Sequence, residues 1–299
     1  MRRIFPVPPP FAGSAGAAGA VAPGKAAATT DAAATTDSTA AAGAGLARKA
    51  IEDIEAVEDI EDIEDIEDID LDEVYAYPPS AAHTPYIRAN FVASVDGAAE
   101  VGGRSGPLGG EADLRVFRLL RWLSDVVLVG AGTARTENYG PVVIPPERRE
   151  RRVAAGLAAV PPIAVVTATA GFDPGARLFR GEIRPVLLTC ETAPLDRRRR
   201  LAAVADIAIC GGSAVEPDLA VRALAERGMT RILTEGGPLL HSQLAAAGLL
   251  DELCLTIAPV LAGPGRLGIM KGEPWPAPAA LTLTQILAED DVLFLRYRR

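Results

Sequence analysis

Read for the spacing of its apolar residues, the chain divides near residue 80. Beyond that point short apolar runs alternate with amphipathic stretches. YIRANFVASVDG at 86–97 is rich in β-formers and ends in an Asp-Gly turn. Residues 111–123 carry Leu114, Phe117, Leu120 and Leu123 at three-residue steps. That spacing predicts a helix with one apolar stripe and leaves Arg115, Arg118 and Arg121 outside it. DVVLVG at 125–130 is a short continuous apolar run, as in a parallel strand buried on both faces. IAVVT (163–167), PVLLT (185–189) and DIAIC (206–210) repeat the signature. Helices are predicted over 195–204 and over 216–227, the second ended by Gly228. PVVIPPERRERR at 141–152 reads as an exposed basic loop. LLDELCLTIAPVL (249–261) is a further strand, and LTLTQIL (281–287) with DVLFLRYRR (291–299) fits an antiparallel hairpin. The alternation predicts an α/β domain: a mostly parallel mixed sheet, helices on both faces, and a C-terminal antiparallel hairpin.

The first 80 residues show neither period. Residues 10–50 are dominated by Ala, Gly, Thr and Ser, which offer little to bury, and are expected to be disordered. Residues 51–73 repeat Ile-Glu-Asp, a period of three that drifts around a helix and does not alternate as a strand must. This tract holds 14 of the 39 acidic residues, leaving 25 against 30 Lys and Arg, so the formal charge of −9 hides a net +5 elsewhere. The acidic balance therefore says little about the partner of the folded part. On this pattern residues 1–80 form a solvated tail, dispensable for folding, and 81–299 the domain.

Two places in the domain run strand, glycine, helix. One is GAGT at 130–133; the other is TEGGPLLHSQL at 234–244, where Gly236 and Gly237 turn the chain and Pro238 suits the first helical position. Free amides and the helix dipole favour a phosphate at such a turn, although an ordinary strand-to-helix connection has the same sequence. Glu235 stands at the lip, where a carboxylate costs stability unless something pairs with it. Ligands of open α/β sheets sit beyond the carboxyl ends of the strands, so two such turns on one edge suit a dinucleotide. No G-x-G-x-x-G is present. Cys190, Cys210 and Cys254 lie in apolar runs without CxxC spacing and read as buried thiols of a reducing, cytoplasmic compartment. His83 and His241 are the only imidazoles, so neither a histidine-based metal site nor a Ser-His-Asp triad is expected. No run is long enough for a membrane span, and the Arg197–Arg200 run lacks aromatic residues to stack bases. Membrane and nucleic acid are thus not expected partners. MRRIF at the start resembles a twin-arginine export signal, but PVPPP interrupts the apolar core such a signal needs.

Four stretches together carry a family likeness: NFVASVDG at 90–97, GRSGPL at 103–108, DVVLVGAGTARTENYGP at 125–141 and LTEGGPLLHSQLAAAGLLDELCLTIAPVLAG at 233–263. In this order they resemble the pyrimidine reductases of riboflavin biosynthesis, the bacterial RibD C-terminal-domain group, over roughly residues 85–299. The resemblance implies a dihydrofolate reductase-like fold, NADPH as cofactor and a homodimer. The implied reaction is hydride transfer from the nicotinamide C4 to C1′ of a ribosylaminopyrimidine 5′-phosphate, of the 5-amino-6-(5-phosphoribosylamino)uracil type, giving a ribityl chain. Carried over by position, it implies cofactor contacts for Val92, Pro107, Thr133, Glu137 and Thr167, and a pyrophosphate cradle of Gly236, Gly237, Pro238 and Leu239. It implies substrate contacts for Asn90, Ser105, Arg121 and Glu235, with Asn90 and Glu235 nearest the chemistry and Asp96 and Gly97 in a positioning turn.

Two departures stand out. Bifunctional bacterial members use an arginine on the substrate phosphate near the position of Val143 and Ile144, and here the nearest arginines begin at Arg148. Those members also carry an N-terminal zinc deaminase, whereas residues 1–84 hold no Cys and neither deaminase signature, so a reductase without deaminase activity is expected. Two other readings fit the same residues: a reductase of this fold acting on a dihydropterin, dihydrofolate or another heteroaromatic, and a non-catalytic nucleotide-binding protein whose acidic tail is the working part. The expected dimer would share a sheet edge built from 251–261 and 291–297. Gly237 is expected to need a backbone conformation that a Cβ penalises.

Overall fold

The computed structural model describes residues 1–3 and 69–299. The expectation of disorder over 10–50, and most of the Ile-Glu-Asp repeat, fall outside the described residues. The apolar runs become the centre of one sheet. Its strands are β1 (Arg2–Arg3), β2 (Tyr86–Ser94), β3 (Val126–Gly130), β4 (Ile163–Val166), β5 (Val186–Thr189), β6 (Asp206–Ile209), β7 (Arg231–Thr234), β8 (Leu250–Ala258), β9 (Thr282–Glu289) and β10 (Val292–Arg298). They stand in the order β1-β9-β10-β8-β2-β7-β3-β4-β5-β6. From β8 to β6 every neighbouring pair is parallel, whereas β10 runs antiparallel to both β8 and β9. The mixed sheet and terminal hairpin are those the pattern predicts.

Continuous apolar strands are explained by cover on both faces. Along β3, Val127 and Val129 join one core with Val116 and Leu120, while Val126 and Leu128 join the other with Val221, Leu224, Leu240 and Leu244. The first face is covered by α2 (Glu111–Leu123), the second by α6 (Pro217–Ala225) and α7 (Pro238–Ala246). The remaining helices are α1 (Leu71–Val74), α3 (Ala131–Thr136), α4 (Pro146–Ala154) and α5 (Leu195–Leu201).

Four expectations are corrected. The core face of α2 is Ala112, Val116, Leu119 and Leu120, while Leu114 is 44% exposed and Phe117 faces the cleft described below. A strict three-residue step falls about 60° short of a full turn each time, so the predicted stripe winds from one face to another. Residues 141–152 are not an exposed loop. Val142 and Ile144 are buried, α4 follows, and the buried Arg152 donates to the backbone carbonyls of Trp122, Ser124 (2.9 Å) and Ala158 (2.8 Å). Strands β8 and β10 have neighbours on both sides, so neither offers a free edge to a second subunit.

The domain also begins earlier than residue 81. Tyr75 is buried, with Ile69, Leu71 and Val74 packed against the same core. Arg88 donates to the carbonyl oxygens of Tyr75 (2.7 Å) and Ala76 (3.4 Å), and Arg296 to that of Val74 (2.5 Å). These carbonyls end α1 and have no helical partners, so buried guanidiniums satisfy them. Asp72 pairs with Arg148 of α4 at 2.5 Å.

Candidate active site

The carboxyl ends of β2, β3, β4 and β7 open on one cleft of about 1020 Å³. Two interlocked turns form its floor. The Gly130 amide, ending β3, donates to the Gly236 carbonyl at 2.6 Å. A Cβ at Gly130 would lie 3.5 Å from the Gly237 nitrogen, and one at Gly237 would collide with the Thr133 hydroxyl. Gly237 itself has φ −65°, open to any residue. Close approach therefore demands glycine there, and the expected backbone restriction falls on its neighbour. Gly236 has φ +76°, and a Cβ on it would come within 2.7 Å of the Phe91 ring. That ring stacks on His241 at 4.4 Å, and burial pushes the imidazole down to about 4, so it is neutral at ordinary pH.

Glu235 follows β7 directly. Its buried carboxylate is met by Arg121 from α2 through two bonds, Nε to Oε1 at 2.6 Å and Nη2 to Oε2 at 2.7 Å. The Tyr139 hydroxyl donates to Oε2 at 2.6 Å. A carboxylate offers about four acceptor positions, so roughly one is left for the cleft. Burial, and then the Glu235 charge, push the Tyr139 pKa well up, so it remains a donor. Burial alone would lower the Arg121 pKa, but the Glu235 charge outweighs it and raises it, so the guanidinium stays charged. The carboxylate is held rigidly, as a positioned group must be.

The glycine-rich loop is tied down through Ser105, whose amide and hydroxyl both donate to Glu137 Oε1 at 3.0 and 3.3 Å. Asp96 accepts from the Ser94 hydroxyl (2.5 Å) and the amides of Ala262 (3.1 Å) and Gly263 (2.8 Å). Those bonds, the hydroxyl first, lower its pKa to about 2. Asp96 thus pins the segment that carries Leu267 and Lys271 to the cleft.

Of the residues singled out from sequence, Asn90, Val92, Ser105, Thr133, Glu137, Thr167, Glu235, Gly237, Pro238 and Leu239 line the cleft. Three do not. Pro107 is exposed while its neighbour Gly106 does line it, and Gly236 lies against Phe91. Arg121, expected on the substrate, is instead engaged by Glu235, because that carboxylate lies within bidentate reach. Sequence reading missed Asp113, Phe117, Arg135, Tyr139 and Lys271, which also line the cleft. Their one signal is spacing: Asp113, Phe117 and Arg121 recur every four residues along α2.

The cleft volume, the close approach of the two turns at Gly130 and Gly237 and the α7 N-terminus fit a dinucleotide. Among the described residues no cluster of His, Cys, Asp and Glu could hold a metal ion, and the three cysteines are buried and free. No helix among them is long and apolar enough to cross a membrane.

Residues 85–294 match the model of a family described as the RibD C-terminal domain. The 2,5-diamino-6-ribosylamino-4(3H)-pyrimidinone 5′-phosphate reductase of Archaeoglobus fulgidus is 31% identical over 180 residues, 60% of this chain and 82% of that one. The protein of the same name from Methanothermobacter thermautotrophicus is 30% identical over 179 residues, 60% of this chain and 80% of that one. A solved pyrimidine reductase-like protein from Corynebacterium diphtheriae superimposes with a TM-score of 0.69 at 30% identity, covering 76% of this chain and 97% of that one.

Proposed function

The chain belongs to the RibD C-terminal domain family, and on that premise we propose that it reduces a ribosylaminopyrimidine 5′-phosphate with NADPH, turning the ribose into a ribityl chain in riboflavin biosynthesis. The observation that carries this reading is Glu235, a carboxylate fixed by Arg121 and Tyr139 beside a dinucleotide-type turn. Thr133, Gly237, Pro238 and Leu239 would hold the pyrophosphate, and Thr167 the adenosine side. Once bound, the nicotinamide supplies the hydride. The chain's part is alignment and exclusion of water. Asn90 and Glu235 orient the substrate, and the remaining acceptor position of Glu235 holds a proton donor of the opening sugar.

Arg135 and Lys271 are the cations that line the cleft among the described residues. Ile144, near the position of the family arginine, is buried in the core. Recognition of phosphate groups therefore falls to these two side chains and the amides of α7. Arg135 lies over the Phe172 ring, 5.2 Å from its centroid, and donates to the Gly171 carbonyl at 3.4 Å, beside the segment that follows β4. In this reading Arg135 would hold the extra phosphate of NADPH. The protein is read as a reductase without deaminase activity, acting in the cytoplasm as a homodimer, with the exposed Val95, Val260 and Leu261 as available apolar surface. Sedimentation over micromolar concentrations that shows only monomer would remove the dimer.

The test of function is NADPH consumption by the purified full chain, with the ribosylaminopyrimidine phosphate beside dihydrofolate. Consumption with the pyrimidine and none with dihydrofolate is expected. The reverse would make the chain a pterin-type reductase of the same fold.

A further inference from the structure

Along α2, Asp113 and Phe117 line the cleft, and Arg121 follows one turn further on. Arg121 is held by Glu235 and lies over the Phe117 ring, 4.2 Å from its centroid. Asp113 has no such engagement. It lines the cleft, and among the described residues no guanidinium or ammonium pairs with it. The hydroxyl of Thr256 lies beside it; burial raises the Asp113 pKa and that hydroxyl opposes the rise. Thr256 stands opposite Val92 in the β2–β8 pairing, two residues beyond the pair Asn90 and Cys254. Asp113 therefore sits over the stretch of floor that carries Asn90 and Val92. On another side Gly109 closes in, where any Cβ would come 2.7 Å from Asp113 Oδ2. The carboxyl is packed between strand and loop, and it lines the cleft.

A carboxyl without a cation, in a cleft partly shielded from water, needs N–H donors from its ligand. A pyrimidinone with a 2-amino group beside N3–H presents two adjacent donors, the arrangement a carboxylate accepts side by side. A uracil ring presents at the same edge one donor, N3–H, and one acceptor, O2, which would face the carboxylate oxygen. Building on the reductase reading above, we propose that Asp113 reads this edge and selects the 2-amino-4-pyrimidinone form of the substrate over the uracil form that the motif resemblance implies.

The experiment compares kcat/KM for 2,5-diamino-6-ribosylamino-4(3H)-pyrimidinone 5′-phosphate and 5-amino-6-(5-phosphoribosylamino)uracil in the full chain and two variants. The unaltered protein should favour the diamino compound by roughly a hundredfold, because a site built for donors leaves polar groups unpaired with the wrong ring. Asp113→Asn exchanges one acceptor for a donor and so matches the uracil edge. It should move the ratio toward uracil by roughly a hundredfold or more. Asp113→Ala should lose the preference through lost activity on the diamino compound, with no gain on uracil. Unchanged NADPH affinity in the variants shows that the fold is kept, and a merely structural Asp113 would depress both substrates alike. A ratio unmoved in both variants, or a uracil preference in the unaltered protein, overturns the role of Asp113 while leaving the reductase reading in place. Reduction of neither pyrimidine by the unaltered protein overturns both.

Discussion

Two buried carboxylates, Glu235 and Glu252, meet guanidiniums in the same sheet and do different work. Glu252 lies near the amino ends of the parallel strands. It takes Arg88 at 2.5 Å, Arg296 at 2.8 Å, Arg298 at 3.3 Å and the Tyr86 hydroxyl at 3.0 Å. Arg88 and Glu252 have no exposed side-chain surface, and the Arg88 guanidinium lies over the Tyr77 ring, 4.0 Å from its centroid. Glu235 lies at the carboxyl end of β7, has one arginine and one tyrosine, and faces the cleft. The chemistry of the pairs is alike; what differs is whether acceptor capacity remains and whether a ligand can reach it. A sealed cluster serves the fold, whereas one left partly open at the strand ends can be reached by a ligand.

The largest effect should come from breaking the sealed cluster. Arg88→Ala strands Glu252 and also frees the carbonyls of Tyr75 and Ala76. Loss of one partner of a buried pair costs about 3–5 kcal/mol, which for a domain of this size lowers Tm by roughly 6–20 °C. Starting the chain at Ala81 removes those carbonyls from the other side, so it should destabilise the domain as well, whereas starting at Ile69, which keeps α1 and gives up the short β1 pairing with β9, should cost less. Thermal melts of the two truncations distinguish these outcomes, and equal melts would show that α1 only rests on the surface. The cluster also predicts acid sensitivity. Burial would raise the Glu252 pKa, but Arg88 and Arg296 bring it down from 4.5 to about 2. A carboxyl depressed on folding stabilises fully above its unfolded pKa. That stability is lost as pH falls from about 4.5 through about 2.

Next in size is Glu235→Gln, which keeps the shape and removes a charge. Turnover should fall by roughly a hundredfold, as for a positioned acid–base group, while NADPH affinity stays nearly constant. The melt should drop less than for Arg88→Ala, because the Arg121 side chain keeps 16% of its surface exposed. A drop as large as that of Arg88→Ala would put Glu235 with the structural cluster. Gly237→Val tests the floor separately. Its Cβ meets Thr133, so NADPH binding should weaken by about 1–3 kcal/mol, measured by titration, with the pyrimidine site intact. Unchanged affinity would move the pyrophosphate away from this turn.

The sheet was legible because strands such as DVVLVG are apolar without interruption, and the turn at 236–238 was legible because Gly-Gly-Pro suits a helix start. The sealed cluster was not. Arg88 and Glu252 are 164 residues apart, and only the pairing of β2 with β8 brings them together. Each read alone as a charged residue in an apolar strand. The docking of α1 was hidden by the repeat before it, since Ile69, Leu71, Val74 and Tyr75, which pack on the core, directly continue an acidic run. At the active site, Glu235 stood out by its place before the turn. Its partners come from α2 and from the loop after α3, and no local pattern announces that meeting. The pairing of Arg121 with Glu235 was hidden for the same reason: position in a motif does not convey a carboxylate brought near by the fold.

The smallest expected effect, Tyr139→Phe, cuts most finely. It removes one donor from Glu235 Oε2 and leaves both Arg121 bonds in place. The charge of the pair is unchanged, so stability should fall by only about 0.5–1.5 kcal/mol, the net worth of one hydrogen bond. The carboxylate gains an acceptor position and loses a fixed orientation. If Glu235 holds the substrate's proton donor, kcat should fall by roughly tenfold through poorer alignment, with KM for NADPH unmoved. Steady-state kinetics on the purified variant decide it. A loss as deep as that of Glu235→Gln would mean that the phenol, kept protonated by burial and by the charge beside it, handles the proton itself. Glu235 would then be the group that keeps Tyr139 in place, and the open cluster would be built around the hydroxyl.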